Sequence, residues 1–541
     1  AASGNADIVG TKTINGSSFN DTNLKDKFEF TLTESGKAIK TSADGKTTKT
    51  SLKATNGADG TFKFDKIYYT LEDVGTHTYS VTETKVTGNG YTKDSTTHTV
   101  TVTVTDNKNG TLKTDVSYGT AGALTIDNTY DATGDVTLGA TKTISGGRAL
   151  TDQKFDFKLT DKSGAKISVS DGANGYKSVE QLTTQNNGSA ISFDTIHYTL
   201  NDLGDHTYVI EETTAAGNGY TPKTAKQEVK VTVSKPNDGS NKLVVTKDKE
   251  ASAVSFENAY TASGDATLAA VKAIKGSDDR TLDGDLNGKF SFTLTPVGDA
   301  PMNVVKADGT TEAKTSITVN NAGSAVAFGD LHYTLADLKN DADTPYTYKI
   351  SENAIKVAGY KNITGDLTAE VVLHDNGDGT IKTTVTYKNG TVIVDPATIT
   401  NEYSVEGETK IEINKTITTG ATLTDDKFSF TITGDDADSI ASLKDVTTTV
   451  TNKSGLVSFT GIKYTKAGTY KYTVKENEYA GTDGYVIDTK DVKVQVEATL
   501  NHTTNKIESA VTLTGDHTSF DNTYAASGNA DIVGTKTING S

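Results

Sequence analysis

The sequence predicts an all-β chain of four tandem sandwich domains, and three observations carry that reading. Apolar and polar residues alternate in short runs bounded by Gly, Asn and Asp turns, and no helical period runs through them. Short alternating strands with regular turn signals are the pattern of an antiparallel sandwich. The pattern returns at intervals of 130, 130 and 143 residues between Lys12, Lys142, Lys272 and Lys415, which divides the 541 residues into four domains. Each repeat also carries a Lys in its first strand with an Ile two residues after it, and a Glu in a middle strand and an Asn in its last strand, each with an apolar residue two places before it.

Within a repeat the elements follow one order. After the Lys strand comes Phe28-Glu29-Phe30-Thr31-Leu32, which returns at Phe155, Phe290 and Phe428. A stretch from Phe64 to Leu71 ends in Tyr-Thr-Leu, as again at Tyr198 and Tyr333, and leads to the Glu strand. A Gly-Tyr corner follows at Gly90-Tyr91, Gly219-Tyr220, Gly359-Tyr360 and Gly484-Tyr485, then a strand of the Val100/Val102/Val104 type, then the Asn strand. The next Lys always lies 14 residues after the Asn, across links such as Ala132-Thr133-Gly134-Asp135 and Val405-Glu406-Gly407-Glu408. Links this short predict domains held end to end as a linear rod, with limits at 1–131, 132–261, 262–404 and 405–525. Ala1 to Ser17 return unchanged as Ala525 to Ser541, so 526–541 reads as the first strand of a following repeat, with Lys536 at the Lys12 position. The expectation is a longer array built on a 524-residue unit.

Composition excludes several functions. Without Cys there are no disulfides, thiolate metal sites or thiol chemistry. A net charge of -17 argues against nucleic acid, whose footprint is a basic patch, and the acidic residues are dispersed as on solvated faces. No run of 18 apolar residues marks a membrane span, and no signal peptide opens the chain, as expected of a segment from within an array.

The triplet carries the chemistry. Its members are Lys12/Glu83/Asn128, Lys142/Glu212/Asn258, Lys272/Glu352/Asn401 and Lys415/Glu476/Asn522. Because i, i+2 and i+4 of a strand share a face, Lys12 points with Ile8 and Ile14, Glu83 with Tyr79 and Val81, and Asn128 with Leu124 and Ile126. Lys and Glu are almost never fully buried unless paired. A neutral Lys amine is a nucleophile, a carboxamide is an acyl acceptor, and a protonated carboxyl can hydrogen-bond and carry a proton. Free Lys and Glu are both charged at neutral pH, but burial disfavours each charged form and can convert the ion pair to amine plus acid. Attack of amine on carboxamide releases ammonia and leaves an isopeptide bond, once per domain and without turnover. The plainer reading, a buried Lys/Glu salt bridge capped by Asn, is disfavoured because buried ion pairs stabilise poorly and the pattern recurs four times.

Thr11-Lys12-Thr13-Ile14, the strand Tyr79-Ser80-Val81-Thr82-Glu83 preceded by Tyr69-Thr70-Leu71-Glu72-Asp73-Val74-Gly75, and Asp127-Asn128-Thr129-Tyr130 resemble the streptococcal pilin isopeptide linkage domain of FctA-type major pilins and Gram-positive adhesin stalks. All four repeats match. The resemblance implies Ig-like, CnaB-like sandwiches with Lys12–Asn128, Lys142–Asn258, Lys272–Asn401 and Lys415–Asn522 joined, assisted by Glu83, Glu212, Glu352 and Glu476. Domain 4 departs most, with Tyr464-Thr465-Lys466-Ala467-Gly468 in place of the Tyr-Thr-Leu-x-Asp-Leu-Gly stretch. In domain 2 parity selects Glu212 over its neighbour Glu211.

Other features are assigned blander roles. Asp375-Asn376-Gly377-Asp378-Gly379 hints at calcium, yet its counterparts at 106–110 and 236–239 lack the ligands, so a hairpin turn is expected. Asp131, Asp135 and Asp265 are weak candidates for an interdomain cation, and no metal or cofactor is expected. Tyr220-Thr221-Pro222-Lys223 faintly resembles a pilin's polymerising Lys motif and reads as a hairpin. The function expected is the stalk of a Gram-positive surface adhesin or pilus-like protein, extracellular and anchored by a region outside this segment. Its partners are its neighbouring domains and, through a tip, a host ligand; it is not an enzyme on external substrates. The alternatives are a module that itself binds host glycan or matrix, for which no domain carries a long aromatic-rich insertion, and the backbone pilin of a sortase-built pilus, although no Leu-Pro-x-Thr-Gly occurs.

Overall fold

The computed structural model describes residues 2–151, 153–418 and 420–533, and these form two compact units divided between Thr261 and Ala262, each holding two repeats. In the first repeat, Val9–Ile14 lies between Thr125–Tyr130 and Thr61–Lys63 in a four-stranded sheet edged by Tyr91–Thr92. Opposite it is a five-stranded sheet in the order Leu112–Ser117, His98–Asp106, Gly75–Val86, Phe28–Glu34, Leu52–Thr55. The strand Phe28–Glu34 buries alternate residues, as a half-buried strand must. The two inner faces meet ring to ring: Phe30 stacks on Phe62 at 3.9 Å, Phe157 meets Phe256 edge-on at 5.3 Å, and Phe430 meets Phe520 at 5.0 Å.

All four repeats place the first and last strands side by side and parallel, while every other named ladder among the described residues is antiparallel. Lys12 stands opposite Ile126 and Asn128 opposite Ile14; Lys142 faces Phe256, Lys272 faces Ile399 and Lys415 faces Phe520 in the same register. Each Asn therefore sits two residues along from its Lys on the neighbouring strand, on the same face of the sheet.

The other end of each domain is less uniform. In domains 1 to 3 a 3₁₀ turn, Leu71–Asp73, Leu200–Asp202 or Leu335–Asp337, is capped by the Thr before it, whose N–H donates to the turn's last Asp at 2.6 to 2.7 Å. Beside it a pair of buried Tyr hydroxyls meet: Tyr69/Tyr79, Tyr198/Tyr208 and Tyr333/Tyr348. Domain 4 keeps its Tyr464/Tyr472 pair but runs from Leu456–Tyr464 to Gly468–Glu476 without that turn. It adds instead an α-helix, Ala437–Ser442, with Asp436 accepting from Ser439 N at 2.8 Å and Ser442 Oγ meeting Tyr472 Oη at 2.6 Å. The sequence pattern predicts no helix, because six residues are fewer than two turns and leave no 3.6-residue period to detect. Residues 526–533 form no strand, and Lys536 lies outside the described residues.

Within each unit the later domain seats a hairpin loop on the Gly-Tyr corner of the earlier one. Gly90 N donates to Gly239 O and Tyr130 Oη to Ser240 O; Tyr403 Oη donates to Asn505 Oδ1. Gly90 is required by close approach, since a Cβ there would fall 2.4 Å from the Tyr130 ring.

Candidate functional site

The parallel pair of first and last strands brings Lys and Asn together, and the Glu strand crosses above them from the opposite sheet. All four Lys residues are at most 1% exposed, and their Glu and Asn partners are equally enclosed at the side chain. Lys Nζ lies 3.9 Å from Glu83, 3.1 Å from Glu212, 3.1 Å from Glu352 and 3.2 Å from Glu476. The Asn carboxamide donates to that same carboxylate in every domain: Asn128 Nδ2 to Glu83 at 3.0 Å, Asn258 to Glu212 at 2.7 Å, Asn401 to Glu352 at 2.9 Å and Asn522 to Glu476 at 2.6 Å. One carboxylate thus spans the amine and the nitrogen that would leave.

The ammonium has little else to hold it. Lys12 Nζ donates to Ile126 O at 3.0 Å, and Lys272 and Lys415 reach Ile399 O and Phe520 O at 3.4 Å. Each Nζ lies over an aromatic face, 5.1 Å from Phe28, 4.5 Å from Phe155, 4.8 Å from Phe290 and 5.0 Å from Phe428. Burial pushes Lys12 and Lys272 down to about 8 against the pull of Glu83 and Glu352, and lowers Lys142 and Lys415 for the same reason. Burial likewise raises Glu83 and Glu476 above the ordinary carboxyl value, opposed by their Lys and Asn partners. Both shifts favour the neutral amine and the neutral acid.

A second fourfold residue escaped the sequence reading. Asn56, Asn186, Asn321 and Asn452 are buried, and each Oδ1 accepts from the N–H of the Phe whose ring lies against the Lys: Phe28 at 3.0 Å, Phe155 at 2.7 Å, Phe290 at 2.9 Å and Phe428 at 2.8 Å. Their Nδ2 groups donate to nearby carbonyls such as Leu24 O, Gln153 O, Leu286 O and Thr424 O. Superposing the four repeats in sequence would have exposed them, as an Asn one to three residues before a Gly in every copy.

The blander features settle into local roles. Asp375 and Asp378 accept backbone N–H groups of their own turn, from Gly377 at 2.9 Å and Thr380 at 3.0 Å. Tyr220–Pro222 is an edge strand that opens on a tight hairpin turn, Gly217 and Tyr220 exchanging backbone hydrogen bonds at 3.0 and 2.8 Å, and Lys223 pairs with Glu257 at 2.6 Å. Asp135 holds His197 at 2.8 Å and Asp265 holds His332 at 2.6 Å, so both carboxylates are engaged within their own domains. Asp278, Asp279 and His502 converge closely enough to face one ion, but Asp278 is taken by Arg280 and by the Tyr360 hydroxyl.

Tandem β-sandwiches, each enclosing the same Lys, Glu and Asn on adjoining strands, define a structural repeat protein. The Spy0128-like isopeptide containing domain, FctA, matches residues 8–131, 138–261, 268–404 and 411–525, and the chain belongs to that family. The four domains are a stalk or pilin repeat region of a cell-surface protein. Among solved structures the chain is similar to the major pilin T-13 of Streptococcus pyogenes at 15% identity, covering 48% of this chain and 99% of that one, with a TM-score of 0.19. It is also similar to the Bacillus anthracis TIE protein at 14% identity, covering 90% and 72%, with a TM-score of 0.17. A third likeness is to the pilus adhesin SpaC of Lactobacillus rhamnosus GG, at 13% identity over 93% and 57% of the two chains, with a TM-score of 0.15. No curated protein matches the sequence. Among the described residues no helix is long and apolar enough to cross a membrane.

Proposed function

We propose that each domain joins its first strand to its last through an isopeptide bond, Lys12–Asn128, Lys142–Asn258, Lys272–Asn401 and Lys415–Asn522, and that the chain bears load as a stalk. The observation that supports this most is the shared carboxylate, which touches amine and carboxamide nitrogen in all four domains. A proton passes from Lys to Glu, giving neutral amine and acid. Nζ attacks Cγ of the Asn, and the carboxyl proton goes to Nδ2. The Cγ–Nδ2 bond then breaks and ammonia leaves, with the remaining amine proton returning to the Glu carboxylate. Glu83, Glu212, Glu352 and Glu476 thus end protonated and return to the carboxylate when that proton leaves with ammonia as ammonium, but each site has consumed its only substrate and turns over once.

Domain limits at 131/132, 261/262 and 404/405 follow from the 14-residue spacing of Asn to the next Lys. Anchoring to the cell wall and display of a host-binding tip belong to regions outside these residues. The test is the mass of the denatured protein. It should fall short of the sequence mass by four ammonia masses, with each deficit mapped to one Lys–Asn peptide pair after digestion. A mass equal to that of the sequence refutes the reading.

A further inference from the structure

The four sites differ at one atom, the oxygen of the Asn carboxamide. In domain 1 Asn128 Oδ1 accepts from Asp94 N at 2.8 Å, an N–H that Glu83 Oε2 also accepts at 3.0 Å, and in domain 4 Asn522 Oδ1 accepts from Asp488 N at 2.8 Å. In domains 2 and 3 Asn258 Oδ1 and Asn401 Oδ1 are buried with no hydrogen-bond partner.

The cause lies in the edge strand after the Gly-Tyr corner. In domains 2 and 3 it runs three residues, Tyr220–Pro222 and Tyr360–Asn362, and pairs as far as Pro222 with Asn258 and Asn362 with Asn401. The next N–H then joins the ladder: Lys223 N donates to Glu257 O at 2.8 Å and Ile363 N to Thr400 O at 3.0 Å. In domains 1 and 4 the strand stops after two residues, Tyr91–Thr92 and Tyr485–Val486. Three residues beyond the corner Tyr stands an Asp, where domains 2 and 3 have Lys223 and Ile363. Its carboxylate folds the chain back on itself, Asp94 Oδ1 accepting from Thr96 N at 2.7 Å and Asp488 Oδ1 from Lys490 N at 3.0 Å. Asp94 is further held by His98 at 2.8 Å, and Asp488 by Asp521 N at 3.1 Å with His517 at the same distance. This turn takes the Asp N–H out of the ladder and aims it at the carboxamide. Lys and Ile cannot form it, since neither side chain has an acceptor.

We propose that the backbone N–H groups of Asp94 and Asp488 stabilise the oxyanion that forms on the Asn when Lys attacks, so that domains 1 and 4 close faster than domains 2 and 3. The inference rests on the isopeptide reading above and adds a difference in rate between sites. As Nζ bonds to Cγ, the C=O electron pair moves onto Oδ1. A fixed donor already in contact with that oxygen stabilises the growing charge without reorganising, and it remains in place when the pair returns and ammonia departs. The Asp side chains are positioning residues; their own N–H groups touch the reacting atom.

The experiment is a time course of cell-free synthesis of the full chain, quenched in acid and digested, with the four Lys–Asn peptide pairs counted separately by mass. Domains 1 and 4 should close on the order of 10²-fold faster than 2 and 3. Translation order alone gives the sequence 1, 2, 3, 4, so early closure of domain 4 separates the two causes. Asp488→Ala should slow domain 4 to the rate of domains 2 and 3, whereas Asp488→Asn, which keeps an acceptor for Lys490 N, should restore most of it. Both remove the carboxylate charge, so the difference between them reports the turn. The reciprocal graft, Pro222→Lys with Lys223→Asp, copies domain 1 and should speed domain 2. Equal rates in all four domains, or equal rates for the Ala and Asn variants, overturn the proposal. Absence of ammonia loss from every domain overturns instead the isopeptide reading on which it rests.

Discussion

Domain 1 and domain 4 are the two most different repeats, yet their sites are the most alike. Domain 4 spans 107 residues from Lys to Asn against 116, lacks the capped 3₁₀ turn, and carries a helix that domain 1 does not have. Even so, both pair the Lys with the residue two before the Asn, both hold the Phe by a buried Asn, and both direct an Asp N–H at the carboxamide. The site is therefore set by strand register and by the short segments flanking it. The Tyr-pair end of the sandwich is free to be rebuilt.

Stretched from its ends, the cross-linked chain should show almost no length gain from within any domain. Lys12→Ala should release the 115 residues between Lys12 and Asn128, roughly 380 to 410 Å of chain, and Lys415→Ala the 106 residues of domain 4, roughly 350 to 380 Å. Wild-type domains that unravel to these lengths in a single-molecule trace sink the clamp in both. Thermally, each of these variants should lose about 4 to 5 kcal/mol in its own domain, the chain-entropy value for a loop of over 100 residues, read from separate calorimetric transitions.

Next in size is the buried Asn. Asn56→Ala and Asn452→Ala each leave a buried Phe N–H without its acceptor, at a cost of about 1 to 3 kcal/mol by denaturant titration, and the loosened ring should slow closure of that domain. If only one of the two does so, the domains are less equivalent than their geometry indicates.

The pH dependence follows from the opposed shifts of Lys and Glu. The reactive form, amine plus acid, carries the same single proton as the ion pair, so the closure rate should be flat between the two titrations of the pair. In domain 1 it should fall about tenfold per pH unit as pH rises through about 8, where the pair loses its last proton and the Glu can no longer act as an acid. It should fall equally as pH drops through the carboxyl titration, where Lys is charged again, and the raised value of Glu83 brings that limit closer to neutrality. A rate that climbs steadily with pH would show that Glu does not act as an acid. The smallest effect belongs to the helix: Asp436→Ala removes its cap, at about 0.5 to 2 kcal/mol by thermal melting, while the mass deficit of domain 4 should stay whole.

The triplet was legible because a strand has a side-chain period of two and the repeats supply four independent readings of it. Parity alone placed Lys12, Glu83 and Asn128 on inward faces, and the same rule chose Glu212 over Glu211, which lies outside in ion pairs with Lys158 and Lys226. Parity says nothing about backbone groups, so the Asp94 and Asp488 N–H donors were invisible to it. The buried Asn56 type sits at a strand end, where alternation stops and an Asn reads as an ordinary turn residue. Asp at the third position after the corner Tyr likewise reads as turn chemistry until the strand lengths of the four domains are compared.

The placement of Lys and Asn near the two ends of each repeat also bears on damage. With the bond in place, every loop of domain 1 between residues 13 and 127 lies on a closed ring, outside the single covalent thread that runs from Lys12 across to Asn128. A protease that cuts one such loop opens the ring but severs nothing in series, and the strands on either side of the nick stay attached through the isopeptide. Loop tips are where nicking concentrates. The stretches where one cut parts the chain shrink to the short links between each Asn and the next Lys, and within unit 1 the first of these is covered at Thr133 by backbone bonds to Asn241 and Leu243.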